Sequence, residues 1–372
     1  VRINESSDHH DFYTKTNAMA KILDQTRFTG GVRCIPGSEL LEDIYTMNDF
    51  AHEGGETALL EPHVVTRKEE QVPYLVTEFN GHMYPTKKTD PEERHIEHVL
   101  RHLRVQNEAY KNPWISGAIG WCAFDYNTHK DFGAGDRICY HGVMDMFRTK
   151  KFAADVYASQ MEPKQTAVLR AVTYWARGER SIGGILPLII LTNCDWISLR
   201  FGGFETIAFR KRSEEFEHLP YPPFIITEKD MPPGKIGEWG MKWEDGVICG
   251  YIGEEKVCEE RFAAEPIPKA LWVRADHQSL RNDKKDATRV LVSMVDQNRR
   301  ELPFGDAIIH LKIKEESKKL AKIQGPSSFA LKGGSFGFYI ETLVTNQKGV
   351  FEVHVESEGF MSQLLRIDIQ SV

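Results

Sequence analysis

The sequence has no Cys-x-x-Cys pair, no apolar run approaching the ~20 residues of a membrane span, and no surplus of basic charge. Each absence removes a class of function. The six cysteines, Cys34, Cys122, Cys139, Cys194, Cys249 and Cys258, stand singly. That spacing argues against a zinc ribbon, a redox pair or a disulfide framework, and the residues read as small buried hydrophobes. The longest apolar stretch, Ile185 to Leu191, is interrupted by Pro187 and reads as a strand, so no membrane partner is expected. With 47 basic against 54 acidic residues and a formal net charge of -7, the chain offers no broad cationic footprint, which argues against nucleic acid as a partner. An initiator Met and a leader are also missing. The β-branched opening Val1-Arg2-Ile3-Asn4-Glu5 reads as mid-domain, and the sequence as a piece of a longer chain.

What is present suits a folded, multi-domain protein. The 372 residues are 41% hydrophobic and 27% charged, with both signs interleaved. At roughly 100 to 200 residues per domain that length fits two or three domains. From 1 to about 158, strand-like runs alternate with helix-like ones, the grammar of a parallel sheet with crossover helices. Val1 to Asn4 reads as a strand end. Asp11 opens a helix whose Phe12, Ala18, Ile22 and Leu23 recur near a 3.6-residue period. Further strands are expected at 27–32, 42–49, 74–77 and 114–123, with helices at about 91–110 and 144–157.

From about 161 the grammar becomes all-β, with short alternating runs such as Leu188 to Thr192 and Trp196 to Phe201 punctuated by Gly pairs and Pro clusters. Glu265-Pro266-Ile267-Pro268 is a joint between two sandwich-sized units. The expected organisation is therefore 1–160, 161–264 and 265–372.

Two carboxylates stand out by position. Glu5 follows the strand end in Arg-Ile-Asn-Glu-Ser, and Glu78 follows Tyr-Leu-Val-Thr. In a β/α barrel the C-terminal ends of the strands face the active site, so catalytic groups are expected there. A retaining glycosidase needs such a pair, one acid for the leaving oxygen and one carboxylate for the anomeric carbon, about 5 to 5.5 Å apart.

These residues resemble glycoside hydrolase family 2. Asn4-Glu5 matches the Asn-Glu acid/base signature, Thr77-Glu78-Phe79-Asn80 resembles the nucleophile strand, and Gly117 to Tyr126 looks like the strand-eight motif with its Trp. Gly30-Gly31-Val32-Arg33, after a helix ending Asp24-Gln25-Thr26-Arg27, extends the likeness, as do the trailing β units. The resemblance is to the bacterial β-galactosidase branch and spans essentially the whole chain. It implies α/β plus all-β architecture: strands four to eight of a TIM barrel, followed by two Ig-like β-sandwiches, the last similar to invasin-type domains. Barrel strands one to three are missing, so the N-terminal remainder of the enzyme is an expected partner.

The resemblance also implies roles: Glu5 as acid/base with a raised pKa, Glu78 as an ionised nucleophile, and Asn4 on the sugar 2-hydroxyl. Trp121 would lie beneath the pyranose, Asn80 and His82 would bind sugar hydroxyls, and Tyr45 would hydrogen-bond the nucleophile. The substrate class is β-galactosides, with β-glucuronides second because 1–160 has no Asn-x-Lys pair. An inactive carbohydrate-binding or spacer protein is the alternative of another class. No cofactor and no metal is assigned: Asn80-Gly81-His82-Met83 departs from the family's His-Ala-Met-Gly run, and Asp8-His9-His10 reads as a helix N-cap region. Relatives with Ig-like tails imply a secreted or periplasmic setting, and the resemblance leaves room for a homo-oligomer.

Overall fold

Four short strands, Gly30–Gly31 (β1), Ile44–Asn48 (β2), Tyr74–Phe79 (β3) and Ala118–Gly120 (β4), pair in parallel in that order. The computed structural model describes residues 2–50, 57–80, 84–181, 184–203, 205–231 and 242–371. Tyr45, Met47, Tyr74, Val76 and Phe79 are fully enclosed with Val65, Val105 and Ala109. Such strands, covered on both faces, are why these runs read as nearly continuous apolar sequence. Helices His10–Leu23 (α1), Pro62–Thr66 (α2), Glu92–Lys111 (α3) and Ala154–Ala158 (α4) accompany the sheet, with a small antiparallel pair, Tyr126–Asn127 (β5) and Ile138–Cys139 (β6).

Three local expectations are corrected. Residues 2–5 form no strand, because Arg2 is held through its side chain rather than by a ladder: it ion-pairs with Glu42 at 2.9 Å and with Asp8. Second, α1 turns Tyr13 and Asn17 inward, while Phe12, Ala18, Ile22 and Leu23 stay exposed. Tyr13 is drawn in by the Arg2 guanidinium, 4.7 Å over its ring, and Asn17 by the Leu41 carbonyl at 2.7 Å. Third, the helix expected over 144–157 shrinks to α4. Asp145 accepts hydrogen bonds from the amides of Phe147 and Thr149, both at 2.9 Å, which favours a turn over a helix.

Strands Leu169–Ala171 (β7), Leu188–Thr192 (β8), Trp196–Phe201 (β9), Ile207–Phe209 (β10), Phe224–Ile226 (β11), Gly246–Ile252 (β12) and Glu255–Phe262 (β13) follow. They make two sheets, β10-β9-β12-β13 and β11-β8-β7, around Trp175, Leu188, Ile190, Ile197, Leu199 and Ile248. The last unit contains Ala270–Ala275 (β14), Ser279–Arg281 (β15), Ala287–Val295 (β16), Ile308–Ile313 (β17), Ala321–Gln324 (β18), Ser328–Ala330 (β19), Ser335–Thr342 (β20), Gly349–Glu356 (β21) and Gln363–Gln370 (β22). Its sheets, β14-β16-β20-β18 and β15-β22-β21-β17-β19, enclose Val290, Val292, Phe338, Phe351, Val353 and Ile367. The chain is thus mixed, mostly sheet, with few helices.

Buried polar groups join the parts. Glu92, at the start of α3, ion-pairs with Arg180 at 2.6 Å and accepts from the Tyr174 amide at 2.5 Å. Lys88 reaches Glu301 at 2.7 Å and donates to Ser335 Oγ at 2.5 Å. Among the described residues no helix is long and apolar enough to cross a membrane.

Candidate active site

In a parallel sheet every strand ends on the same edge, so the residues at those ends converge. Glu78 is the second-last residue of β3, and Asn48 is the last of β2. The register runs Met47 to Val76 and then Asn48 to Glu78, leaving Thr77 as an extra residue on β3. Such a bulge re-aims side chains at a strand end.

Asn48 becomes the hub. Its Nδ2 donates to Glu5 Oε1 at 3.2 Å and to Asn4 Oδ1 at 3.3 Å, and its Oδ1 accepts from Thr77 Oγ1 at 2.9 Å. The Asn48 and Asn4 side chains also act on the Glu78 carboxyl, both lowering it. Asn4, Glu5 and Glu78, separated by more than seventy residues of sequence, therefore meet around one buried amide. The Glu5 backbone is left-handed, φ 55°, which a non-glycine residue adopts at a cost of ~1–2 kcal/mol.

The anchor beneath this turn is an ion triad. Glu42 ion-pairs with Arg2 at 2.9 Å and with Arg33 at 2.5 Å, both guanidiniums and the carboxylate being almost wholly buried. Burial pushes Glu42 up, and the two guanidiniums more than offset it, holding the carboxyl below its usual range. Gly31 makes this approach possible: a Cβ there would sit 2.4 Å from Glu42 Oε1 and 2.6 Å from Arg2 Cγ.

Electrostatics distinguish the two carboxylates. Burial raises Glu78, the charge of Glu5 raises it further, and the Asn48 and Asn4 side chains oppose both. Glu78 is raised because it lies on the enclosed strand, whereas Glu5 sits on an exposed turn. The Cys34 thiol, after β1, is raised by burial and then by the charge of Glu5.

The remaining candidates divide. Tyr45 does not reach the site: it is fully buried, its hydroxyl donates to the Val65 carbonyl at 3.4 Å, and its ring packs against Tyr74 and under Arg33. The reason is the two-residue period of a strand, which turns Tyr45 and Met47 into the core and leaves Asn48 as the residue of β2 that meets the carboxylates. Trp121 is tied to the end of β3 by its amide, which donates to the Phe79 carbonyl at 2.9 Å. Its indole N–H donates to the Tyr126 hydroxyl at 3.2 Å, which fixes the ring with that ring edge occupied. Asn80, φ 62°, is buried, and neither atom of its amide has a hydrogen-bond partner among the described residues. His82 lies outside the described residues. Asp8, His9 and His10 point to different partners: Arg2, the Phe12 amide and Glu39.

Sequence reasoning passed over Asn48, Thr77 and Cys34. Asn48 carried the same signal as Glu78, a polar residue closing an apolar strand, whereas Thr77 depends on a bulge that no local pattern announces.

No model of a known protein family matches the chain. It is 54% identical to a β-galactosidase of Thermoanaerobacterium thermosulfurigenes over 336 residues, which are 90% of this chain and 46% of that protein. A β-galactosidase of Rhizobium radiobacter is 32% identical over 135 residues, 36% of this chain and 94% of that protein. Among solved structures, a β-glycosidase from Bacteroides vulgatus superposes on 99% of this chain, and on 50% of its own, with a TM-score of 0.69 at 13% identity. A family 2 glycosyl hydrolase from Bacteroides cellulosilyticus does so on 97% of this chain and 47% of its own, with a TM-score of 0.62 at 10% identity. The chain spans less than half the length of the T. thermosulfurigenes relative.

Proposed function

We propose, for a chain that belongs to glycoside hydrolase family 2 in its bacterial β-galactosidase branch, that it carries the catalytic pair of a retaining glycosidase acting on β-galactosides. The observation that supports this reading is the Asn48 side chain, which donates to Glu5 and lowers the Glu78 carboxyl. A retaining enzyme holds its two carboxyls about 5 to 5.5 Å apart, and one side chain acting on both Glu5 and Glu78 supports a shared site.

In this reading Glu78 attacks the anomeric carbon while Glu5 gives its proton to the departing glycosidic oxygen. Glu5, now a carboxylate, takes a proton from water, and that water displaces Glu78 from the sugar. Asn48 and Asn4 oppose the effect of burial on Glu78, and Asn4 faces the sugar 2-hydroxyl. Trp121 offers its ring face to the apolar side of the pyranose, and the unpaired amide of Asn80 is available to a hydroxyl. The substrate class follows the relatives' names.

The four parallel strands, with the turn at Glu5, form the later part of a (β/α)8 barrel, 1–160, and the units 161–264 and 265–372 are Ig-like sandwiches. The chain acts as part of a longer polypeptide whose other segments complete the barrel.

The test is covalent trapping in the full-length protein with an activated 2-deoxy-2-fluoro-β-galactoside, followed by peptide mapping. A glycosyl adduct on Glu78 and hydrolysis with retained anomeric configuration are expected. An adduct on another carboxylate, or inverted product, overturns the assignment.

A further inference from the structure

Away from the carboxylates, two thiols meet in the middle unit. Cys194 sits in the turn between β8 and β9, and Cys258 lies on β13, 64 residues away, yet their sulfurs are 3.5 Å apart. The contact crosses a third strand. Gly250 of β12 pairs with Cys258 on one side and Ile197 on the other, and a Cβ at Gly250 would stand 2.7 Å from each sulfur. The missing side chain is the space in which the thiols touch.

From this geometry we infer that Cys194 and Cys258 are an oxidisable pair that closes to a disulfide under hydroperoxide, linking the β8–β9 turn to β13 across Gly250. Closure moves the sulfurs from 3.5 Å to about 2.05 Å, within reach of side-chain rotation and a small backbone shift.

The chemistry of the two thiols is unequal. The hydrogen bond from Cys258, the Thr192 hydroxyl and the Arg212 guanidinium lower the Cys194 thiol, while the same contact and burial raise Cys258. Arg212 is locked in place, donating to the carbonyls of Thr192, at 3.2 Å, and Cys194. Cys194 is therefore the thiolate and Cys258 the thiol that resolves it. The Cys194 thiolate attacks one peroxide oxygen, the O–O bond breaks, and hydroxide or alkoxide leaves with the electron pair, giving the sulfenic acid. The Cys258 sulfur then attacks the Cys194 sulfur, the S–O bond breaks, and the hydroxyl leaves as water with the Cys258 proton. Two thiols are oxidised by two electrons, and one hydroperoxide is reduced to an alcohol, or water, and water. Cys194 is itself buried, but β13 is an outer strand of its sheet and Cys258 is partly exposed, so a molecule the size of hydrogen peroxide has a short path to the pair.

The experiment treats the full chain with equimolar hydrogen peroxide, alkylates remaining thiols with iodoacetamide, and maps unreduced peptides by mass spectrometry. A linked pair of peptides containing Cys194 and Cys258, two hydrogens lighter than their sum and separated by dithiothreitol, is expected. Alkylation of both residues, or a Cys194 sulfenic acid that dimedone traps in the unmodified chain, overturns the proposal. Cys258→Ser sharpens it: Cys194 should then become trappable by dimedone, and failure to trap it there counts against Cys194 as the reacting thiolate. If that variant does not fold, the map of the unmodified chain decides alone.

Discussion

The parallel-sheet region and the C-terminal sandwich bury different chemistry. In the first, Arg33, Glu42, Asp49, Glu92, His98, His102, Asp125 and Lys151 are all buried. In the second, the buried polar residues among those described are Asn282, Thr288, Ser293, Asp296, Ser317, Ser335 and Thr342, and the ion pairs, such as Lys314–Glu352 and Lys312–Glu356, lie on exposed strand faces. Desolvating a charge costs several kcal/mol before any partner repays it, so a protein seeking only stability fills a core with Val, Ile and Phe, as the sandwich does. The parallel sheet keeps charges because they fix the positions of other atoms. Arg2, Arg33 and Glu42 hold the turn that carries Asn4 and Glu5, and Lys151 holds Asp125 at 2.7 Å below the Trp121 segment.

If the difference is one of purpose, substitutions in the two regions should separate activity from stability. The largest effect belongs to Glu78→Gln, expected to lower aryl β-galactoside turnover by about 10⁴-fold or more in the full-length protein. Glu352→Gln, on the exposed face of the sandwich, should leave turnover unchanged. Equal losses in both would dissolve the contrast.

Asn48→Ala comes next, with a fall in kcat of about 10²–10³-fold, the scale of one preorganised donor. Because that amide lowers the Glu78 carboxyl, its removal should also move the acid limb of the pH–rate profile upward. A profile that keeps its shape would reduce Asn48 to a structural part.

Glu42→Ala and Phe351→Ala form a matched pair. Each should cost about 3–5 kcal/mol in denaturant unfolding, one by stranding two buried guanidiniums and one by opening a cavity. Only the first should take activity with it. The Glu42 effect has a pH signature. Its folded carboxyl titrates below the ordinary glutamate range, so its contribution is complete above that range and is lost as pH falls through the lower folded value. Acid should therefore loosen the parallel-sheet region first, readable by hydrogen exchange resolved along the chain.

The smallest effect tests the corrected helix. Leu23→Asp on α1 should change stability by no more than about 0.5 kcal/mol, since the side chain is 78% exposed. A large loss would restore the apolar face that periodicity placed inside.

The extent to which the molecule was legible follows the range of the forces. β2, β3 and α3 were readable because their burial pattern is written in neighbouring residues, and the position of Glu78 because it closes an apolar strand, whereas Glu5 sits on a turn held by Arg2 rather than at the strand end expected for it. Tyr45 misled because one strand offers two polar-capable faces, and only its pairing with β3 selects one.

The sequence by itself therefore determined an alternation of strands and helices that gives way to strands after about residue 161, and it marked Glu5 and Glu78, of which Glu78 stands at a strand end. Tertiary structure alone decided that Asn48 joins those carboxylates, that Arg2 reaches Glu42 across 40 residues, and that Cys194 meets Cys258 over a glycine. Periodicity reports which side of an element is dry, whereas a hydrogen bond, an ion pair or a thiol contact depends on registers set between segments far apart in the chain.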